Sequence, residues 1–291
     1  MQKGMVLVIV LWIVTLLAVM AGSFAYSMRV ETRLATTLVE RARARALTEA
    51  AVAYAMAWQL DFEAQKQWPA NGALHEWAFG GRRMHIRVED AAGRINLNYA
   101  SPQLLKEVLL RIGVAQADVD QQVAAIEDWR DPNDDETPGG AESAKYHAAG
   151  RPGPKNGMFG SLDELQQVLG IDPQTAQSLA NVATAADTRI ASINPALASL
   201  AVLRVATGLD EQAIADYMSA RAQTTREGLP PPPLSAIENL SFFSGSRSGI
   251  YHIAVTVEAE TGKTGSVEAV ASTQNPPQGQ MMRWLSWRLT P

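Results

Sequence analysis

The stretch Met5–Met28 is 24 residues long and contains no charged side chain. As a helix it reaches about 36 Å at 1.5 Å per residue, enough for a hydrocarbon layer of about 30 Å. Whatever else the chain builds must therefore be compatible with a helix that starts in lipid. Lys3 and the amino group lie on the short side, which predicts a cytoplasmic start with the remaining residues across the membrane. A removable secretory signal is the competing reading, because Ala18, Ala21, Gly22 and Ala25 mimic a small-residue cleavage site.

The residues that follow favour the first reading. "RVETRLATTLVERARARALTEAAVAYAMAWQL" has no proline or glycine and is rich in Ala, Leu, Arg and Glu, all strong helix formers. Leu34, Leu38, Ala42, Ala46, Ala50 and Ala53 recur at helical spacing as a narrow small-residue stripe. Arg41, Arg43 and Arg45 mix with Glu40 and Glu49 on the outer face. One unbroken helix is predicted from about Met5 to Leu60, on the order of 80 Å long.

Two segments read as strands. "LHEWAFGGRRMHIRVEDAAGRINLN" predicts strands around a Gly80-Gly81 turn, with Met84, Ile86 and Val88 on one face and Ile95 and Leu97 inward. "GIYHIAVTVEAETGKTGSVEAVAST" predicts a hairpin turning at "ETGKTG", with Tyr251, Ile253, Val255 and Val257 on one face. Ile250, His252, Ala254 and Thr256 fall on the other, and "MMRWLSWRLTP" supplies a last strand.

Between them, Tyr99 to Ser246 reads as mostly helical with a weak repeat. Each unit is a helix, a Gly-apolar pair (Gly113-Val114, Gly170-Ile171, Gly208-Leu209) and a second helix. Ser101, Asp172 and Asp210 are predicted N-caps, with Pro102 at the first helical position. "REGLPPPPLSAIENL" is a stiff spacer leading back to the sheet. Such units resemble helix-hairpin-helix modules that hold nucleic-acid phosphate. Here the turns carry Asp172, Asp210 and Glu211 and no basic cluster, and the net charge is −5. No nucleic-acid partner is expected.

The chain has no cysteine, and its four histidines (His75, His85, His147, His252) have no zinc-ligand spacing. No GxGxxG, Walker loop or GxSxG occurs, and "KTG" at Lys263–Gly265 lacks an SxxK serine. No enzymatic role is expected. The most chemically loaded stretch is "EDWRDPNDDETPGGAESAKYH". Asp131, Asn133, Asp135 and Glu142 have the spacing of ligand positions in a calcium loop, but Glu136 stands where the turn glycine belongs. On spacing alone, a calcium site and a solvated acidic loop both remain open.

Taken together, these residues resemble one family. A leader ending in Lys3-Gly4 before Met5, an apolar helix, the "VETRLA" stretch and a large acidic insertion are similar to the minor pseudopilins K of type II secretion systems. Most pilin-like proteins have Glu at the fifth mature position. Here Ile9 stands there, as is characteristic of the K members. The resemblance implies an α+β fold, with a long N-terminal helix packed on an antiparallel sheet interrupted by a large, mostly helical insertion. The implied segments are a leader (1–4), a transmembrane part (5–28) and a periplasmic part (29–61) of the helix. The first part of the sheet (62–98), the insertion (99–246) and the last part of the sheet (247–291) follow.

The resemblance also implies a function: a pseudopilus tip protein that assembles with minor pseudopilins I, J and H to cap and initiate the fibre for export across the outer membrane. A prepilin peptidase would cut between Gly4 and Met5, and Met5 would be methylated. The protein would sit in the inner membrane with its bulk in the periplasm, and secreted cargo is a further contact. Calcium would be held by Asp131, Asn133, Asp135 and Glu142, with Asp128 and Asp134 as further ligands. The stripe Leu34, Leu38, Ala42, Ala46, Ala50 and Ala53 would meet partner helices. Two rivals stand beside this reading: a membrane-anchored periplasmic binding protein using the helical repeats, and a secreted calcium-binding protein.

Overall fold

The computed structural model describes residues 2–234, 237, 239–259 and 262–290. Helix α1 (Gln2–Leu60) runs 59 residues without a break. No proline or glycine interrupts its second half, so the backbone ladder continues from the apolar segment into the folded body. Met5–Leu60 is long and apolar enough to cross a membrane. A short α2 (Phe62–Gln67) follows, capped by Asp61, which accepts from Glu63 N at 2.8 Å and Ala64 N at 3.1 Å.

Strands β1 (His75–Phe79) and β2 (Arg82–Asp90) form a hairpin whose turn holds Gly80 and Gly81 at φ 60° and 75°. These are left-handed values that glycine adopts freely. The chain then leaves the sheet and returns with β5 (Ile250–Ala259), β6 (Gly262–Ser272) and β7 (Arg283–Thr290). All pairings are antiparallel, in the order β1-β2-β5-β6-β7. β2 and β5 are direct neighbours, so everything between them is inserted at one end of the sheet. Glu260 and Thr261 of the expected "ETGKTG" turn lie outside the described residues, as do Ser235, Ala236 and Glu238 of the expected spacer.

The insertion contains β3 (Ile95–Asn96), α3 (Pro102–Arg111), α4 (Val119–Arg130), α5 (Ser143–Ala148), α6 (Pro173–Val182), β4 (Ala183–Thr184), α7 (Leu200–Thr207) and α8 (Glu211–Glu227). One expectation changes. Ile95 and Asn96 do not join the main sheet but pair in parallel with Ala183 and Thr184. Ile95 and Leu97 are fully buried, yet in the insertion's core. The segment Leu162–Gln167, read as helical, is a 3-10 helix.

Two hydrophobic cores result. One lies between α1 and the sheet and contains Leu47, Ala51, Val52, Ala55 and Met56 against Met84, Ile86, Val88, Ile253, Val255 and Val267. The alternation of β2 and β5 supplies the strand side of it. The other is the insertion's own, built on Leu104, Leu105, Val108, Ile126, Trp129, Tyr146, Leu165 and Leu203. The joint between them is sealed by Asp90. Its buried carboxylate accepts from Ala92 N at 2.8 Å, from Ser248 N at 3.0 Å and from the Ser248 hydroxyl.

Candidate functional site

The first candidate is the helix stripe. The sheet takes the α1 face that carries Ala44, Leu47, Ala51, Val52, Ala55 and Met56. At about 100° per residue, that face is turned away from Ala42, Ala46 and Ala53. Those three alanines are exposed, Ala50 is half-buried, and Leu34 and Leu38 are 59% and 64% exposed. Burying α1 against its own sheet therefore leaves the stripe unused. Gly4 and Met5 lie within the helical run, and Met5 is exposed.

The second candidate is the acidic loop between α4 and α5. α4 presents Asp128, fully buried, and ends at Asp131. α5 begins after Glu142, also buried, whose side chain makes no capping bond to the helix. Glycine at 140 lets the loop close on α4: a Cβ there would lie 2.0 Å from Asp128 Oδ2. Asp128 Oδ1 accepts from Thr137 N at 3.1 Å. The Ser143 hydroxyl donates to Asp134 Oδ1 at 2.7 Å, and this bond chiefly holds the Asp134 carboxyl below its usual range. Lys145 reaches Gly140 O at 2.7 Å and Glu136 at 3.0 Å.

Five oxygens here are buried and have no donor: Asp128 Oδ2, Asp131 Oδ1, Glu142 Oε1 and Oε2, and Asn156 Oδ1. Burial first, then the neighbouring Asp134 carboxyl and the charges of Asp128, Asp134 and Asp131, push Glu142 up to about 7. Buried carboxylate oxygens facing one another without a donor are costly. An oxygen-seeking divalent cation removes that cost, and the hard, flexible donor set suits calcium. Among the described residues, no three His, Cys, Asp or Glu side chains are already arranged as a metal-holding group. The orphaned oxygens are a separate observation: they mark where added positive charge or donors would relieve the burial.

Of the expected ligands, Asp128, Asp131, Asp134 and Glu142 come together. Asn133 and Asp135 stay exposed, and Asn133 Oδ1 is occupied by Asp135 N at 2.7 Å. Asn156, which also hydrogen-bonds Asp134, was not among them. Its signal was the Asn156-Gly157 pair: Asn156 has φ 49°, a left-handed conformation that Asn tolerates. Behind the cluster, Trp129 and Tyr146 pack at 6.1 Å, and Leu169 N donates to the Tyr146 hydroxyl at 2.9 Å.

The glycine turns have positive φ at Gly113, Gly170 and Gly208. The amides that could meet a phosphate are already taken in two of them. Asp172 accepts from Gln174 N and Thr175 N, and Asp210 from Ala213 N. These carboxylates cap α6 and α8 as predicted.

Comparison with known proteins bears on the fold that carries both candidates. Residues 88–188 match the family model described as Type II secretion system (T2SS), protein K. The fold is similar to a chain in the crystal structure of the GspK-GspI-GspJ complex from the enterotoxigenic Escherichia coli Type 2 Secretion System. That match has a TM-score of 0.56 and 14% identity, covering 86% of this chain and 99% of that one. No curated protein matches the chain. The matched segment spans α4, the acidic loop and α5, and the shared architecture is the long helix, antiparallel sheet and helical insertion described above. On these two findings, the segment 88–188 is similar to protein K of type II secretion systems, and the fold of the chain is similar to that of a pseudopilin from such a system.

Proposed function

We propose that this chain is the minor pseudopilin at the tip of a type II secretion pseudopilus. It joins minor pseudopilins I, J and H through its N-terminal helix and caps and initiates the fibre for export across the outer membrane. The observation that carries this reading is the unused stripe: a helix that enters the folded body while its small-residue side stays bare is built to receive other helices. The solved relative was crystallised in a complex with I and J. In this reading the insertion would sit on top of the fibre and leave no room for a further subunit above it.

In this proposal the peptide is cut after Gly4 by a prepilin peptidase, Met5 becomes the methylated amino terminus, and the helix stays in the inner membrane with the body in the periplasm. Ile9 needs no partner amine, unlike a carboxylate in lipid. Calcium, held by Asp128, Asp131, Asp134, Glu142 and Asn156, supplies the positive charge that lets the acidic loop close on α4 and α5. Secreted cargo would meet the exposed insertion.

Leu34→Asp and Ala46→Asp should each abolish co-purification with I and J while leaving the melting temperature of the chain unchanged. Undiminished association would remove the stripe as the interface. Sequencing of the mature amino terminus should begin at Met5, and a start near Ser23 to Ser27 would instead identify a removed signal.

A further inference from the structure

The last strand carries apolar residues that neither core uses. β7 is an edge strand, hydrogen-bonded only to β6 among the described strands. Its register pairs Trp284 with Ala271, Ser286 with Val270 and Trp287 with Ala269, so Leu285 is an extra residue in a bulge. Three positions apart, the two tryptophans would face opposite sides of a regular strand. The bulge turns them to the same side. Residues directly opposite one another in an antiparallel pair share a face. Ala271, Ala269 and Val267 face α1 in the sheet core, so Trp284, Trp287 and Leu289 face the α1 side as well. They are nevertheless 44%, 36% and 51% exposed, and the two indoles meet edge to face at 5.3 Å.

This patch continues onto α1. Arg43 donates to Gly80 O and Glu40 pairs with Arg82, which fixes the helix flank facing the β1–β2 turn. A Cβ at Gly265 of β6 would lie 3.4 Å from Ala44 Cβ. At about 100° per residue, Leu38 and Leu34 project about 120° and 80° round the axis from Ala44, away from Arg43 and toward β7. Leu289 pairs with Val267, two residues beyond Gly265, so it lies near the level of Ala44. Leu38 and Leu34 follow about 9 and 15 Å further down the helix. The result is one apolar track: Trp284, Trp287, Leu289, Leu38, Leu34. With each side chain exposing on the order of 80 Å², it totals about 400 Å², a size at which exposed patches mark contact sites.

We infer that this track is the seat of a single partner helix, the water-side half of the N-terminal helix of a pilin-type subunit, lying beside α1 and covering the helix-side face of β7. The inference rests on the pseudopilin reading above and extends its interface from the stripe to the sheet edge. α1 packs over β2, β5 and β6. Packed helices lie about 8–10 Å apart and strands about 4.8 Å apart. A helix set against that flank therefore falls over β7 and its rim. Lipid does not fit, because the level of Ala44 is about 24 Å beyond Met28, whereas the headgroup layer adds only about 5–8 Å. A second copy of this chain fits poorly as the helix donor. It would bring Arg41, Arg43 and Arg45 toward Arg283 and Arg288 of β7, a strand with no carboxylate.

The absence of native cysteine makes the test direct. Single cysteines are placed at Leu38, Leu289 and, as a control on the opposite sheet face, exposed Ala254 of the full chain. The chain is co-expressed with I and J, each carrying one cysteine scanned along its N-terminal helix. Leu38→Cys and Leu289→Cys should both cross-link to the same partner helix, and Ala254→Cys should not. A cross-link from Leu38→Cys alone overturns the track while leaving the stripe interface standing. Cross-links from neither position sink the pseudopilin interface as well. A homodimer through Leu289→Cys identifies a second copy as the occupant and overturns the inference. The double variant Trp284→Ala/Trp287→Ala should lower co-purification at least tenfold with an unchanged melting temperature. Full retention, with the Leu289→Cys cross-link lost, overturns it too.

Discussion

The two cores of this molecule differ in how they treat buried polar groups. In the core between α1 and the sheet, such groups are satisfied from within. The Thr48 hydroxyl donates to Arg45 O at 2.8 Å, and Gln59 Nε2 donates to Trp68 O at 3.0 Å. In the insertion they are not. Among the described residues, every buried side-chain oxygen without a partner belongs to it: those of Gln122, Asp128, Asp131, Glu142, Asn156 and Tyr217. Most of these lie in and around one loop. The sheet core is thus complete as folded, while the insertion keeps buried oxygens without a partner, which the proposed cation would meet.

The sharpest way to break this comparison is to damage each core separately. Met56→Ala and Leu105→Ala each remove a fully buried side chain and should cost about 2–5 kcal/mol. Calorimetry of the chain should show the first variant lowering a sheet transition and the second an insertion transition. If both move one shared transition by the same amount, the cores unfold as a unit and the contrast has no thermodynamic meaning.

Next in size is removal of the cation. Calcium at about a hundred times its dissociation constant would stabilise the insertion by about 2.7 kcal/mol, or about 5–10 °C in a domain of this size. A chelator should lower the insertion's transition by that amount and leave the sheet's alone. An unchanged transition would leave the loop's oxygens without a cation.

Acid should act at the joint. His252 on β5 lies 3.2 Å from the Thr184 hydroxyl on β4, and burial, with the charge of Arg94, lowers it to about 4. The unfolded chain titrates near 6.5. Between those values the unfolded state binds the extra proton, so stability present above pH 6.5 is lost as pH falls toward 4, by about 3 kcal/mol in all. His252→Gln should flatten that limb in a pH series of denaturant midpoints. An equally steep limb in the variant would assign it to other groups.

Much of this was legible in the sequence for simple reasons. An uncharged run of lipid-spanning length followed by unbroken helix formers leaves one option, and α1 follows it. Alternation in "MHIRVED" and "IYHIAVTV" fixes which side of β2 and β5 is buried. Ser101, Asp172 and Asp210 cap helices because capping is local chemistry. What stayed hidden depends on contacts distant in sequence. "INLN" alternates like the main strands, but Ile95 and Asn96 find their partners at Ala183 and Thr184. Ligand spacing pointed to Asn133 and Asp135, yet Asn133 turns to a backbone amide while Asn156, fourteen residues beyond Glu142, joins the cluster. The bulge at Leu285 is set by register with β6, which no local pattern in "RWLSWRLT" encodes.

The smallest effect expected is also the one that isolates the joint between the regions. Burial raises the Asp90 carboxyl, even though Ser248 and the amides of Ala92, Ser248 and Gly249 pull it down. The folded state therefore holds the proton more tightly than the unfolded chain. Its contribution to stability falls as pH rises through the range above the usual carboxylate value, opposite in sign to His252. Asp90→Asn keeps an acceptor for Ala92 N and Ser248 N and removes the charge. It should change stability by no more than about 1 kcal/mol at neutral pH, and the difference should shift against the variant as the pH is lowered. Asp90→Ala leaves the same buried donors without an acceptor and should cost about 2 kcal/mol. If the joint transmits strain between the cores, Asp90→Ala will move the sheet and insertion transitions together. If it is only a seam, hydrogen exchange will speed up at Ala92, Ser248 and Ile250 while both cores keep their protection.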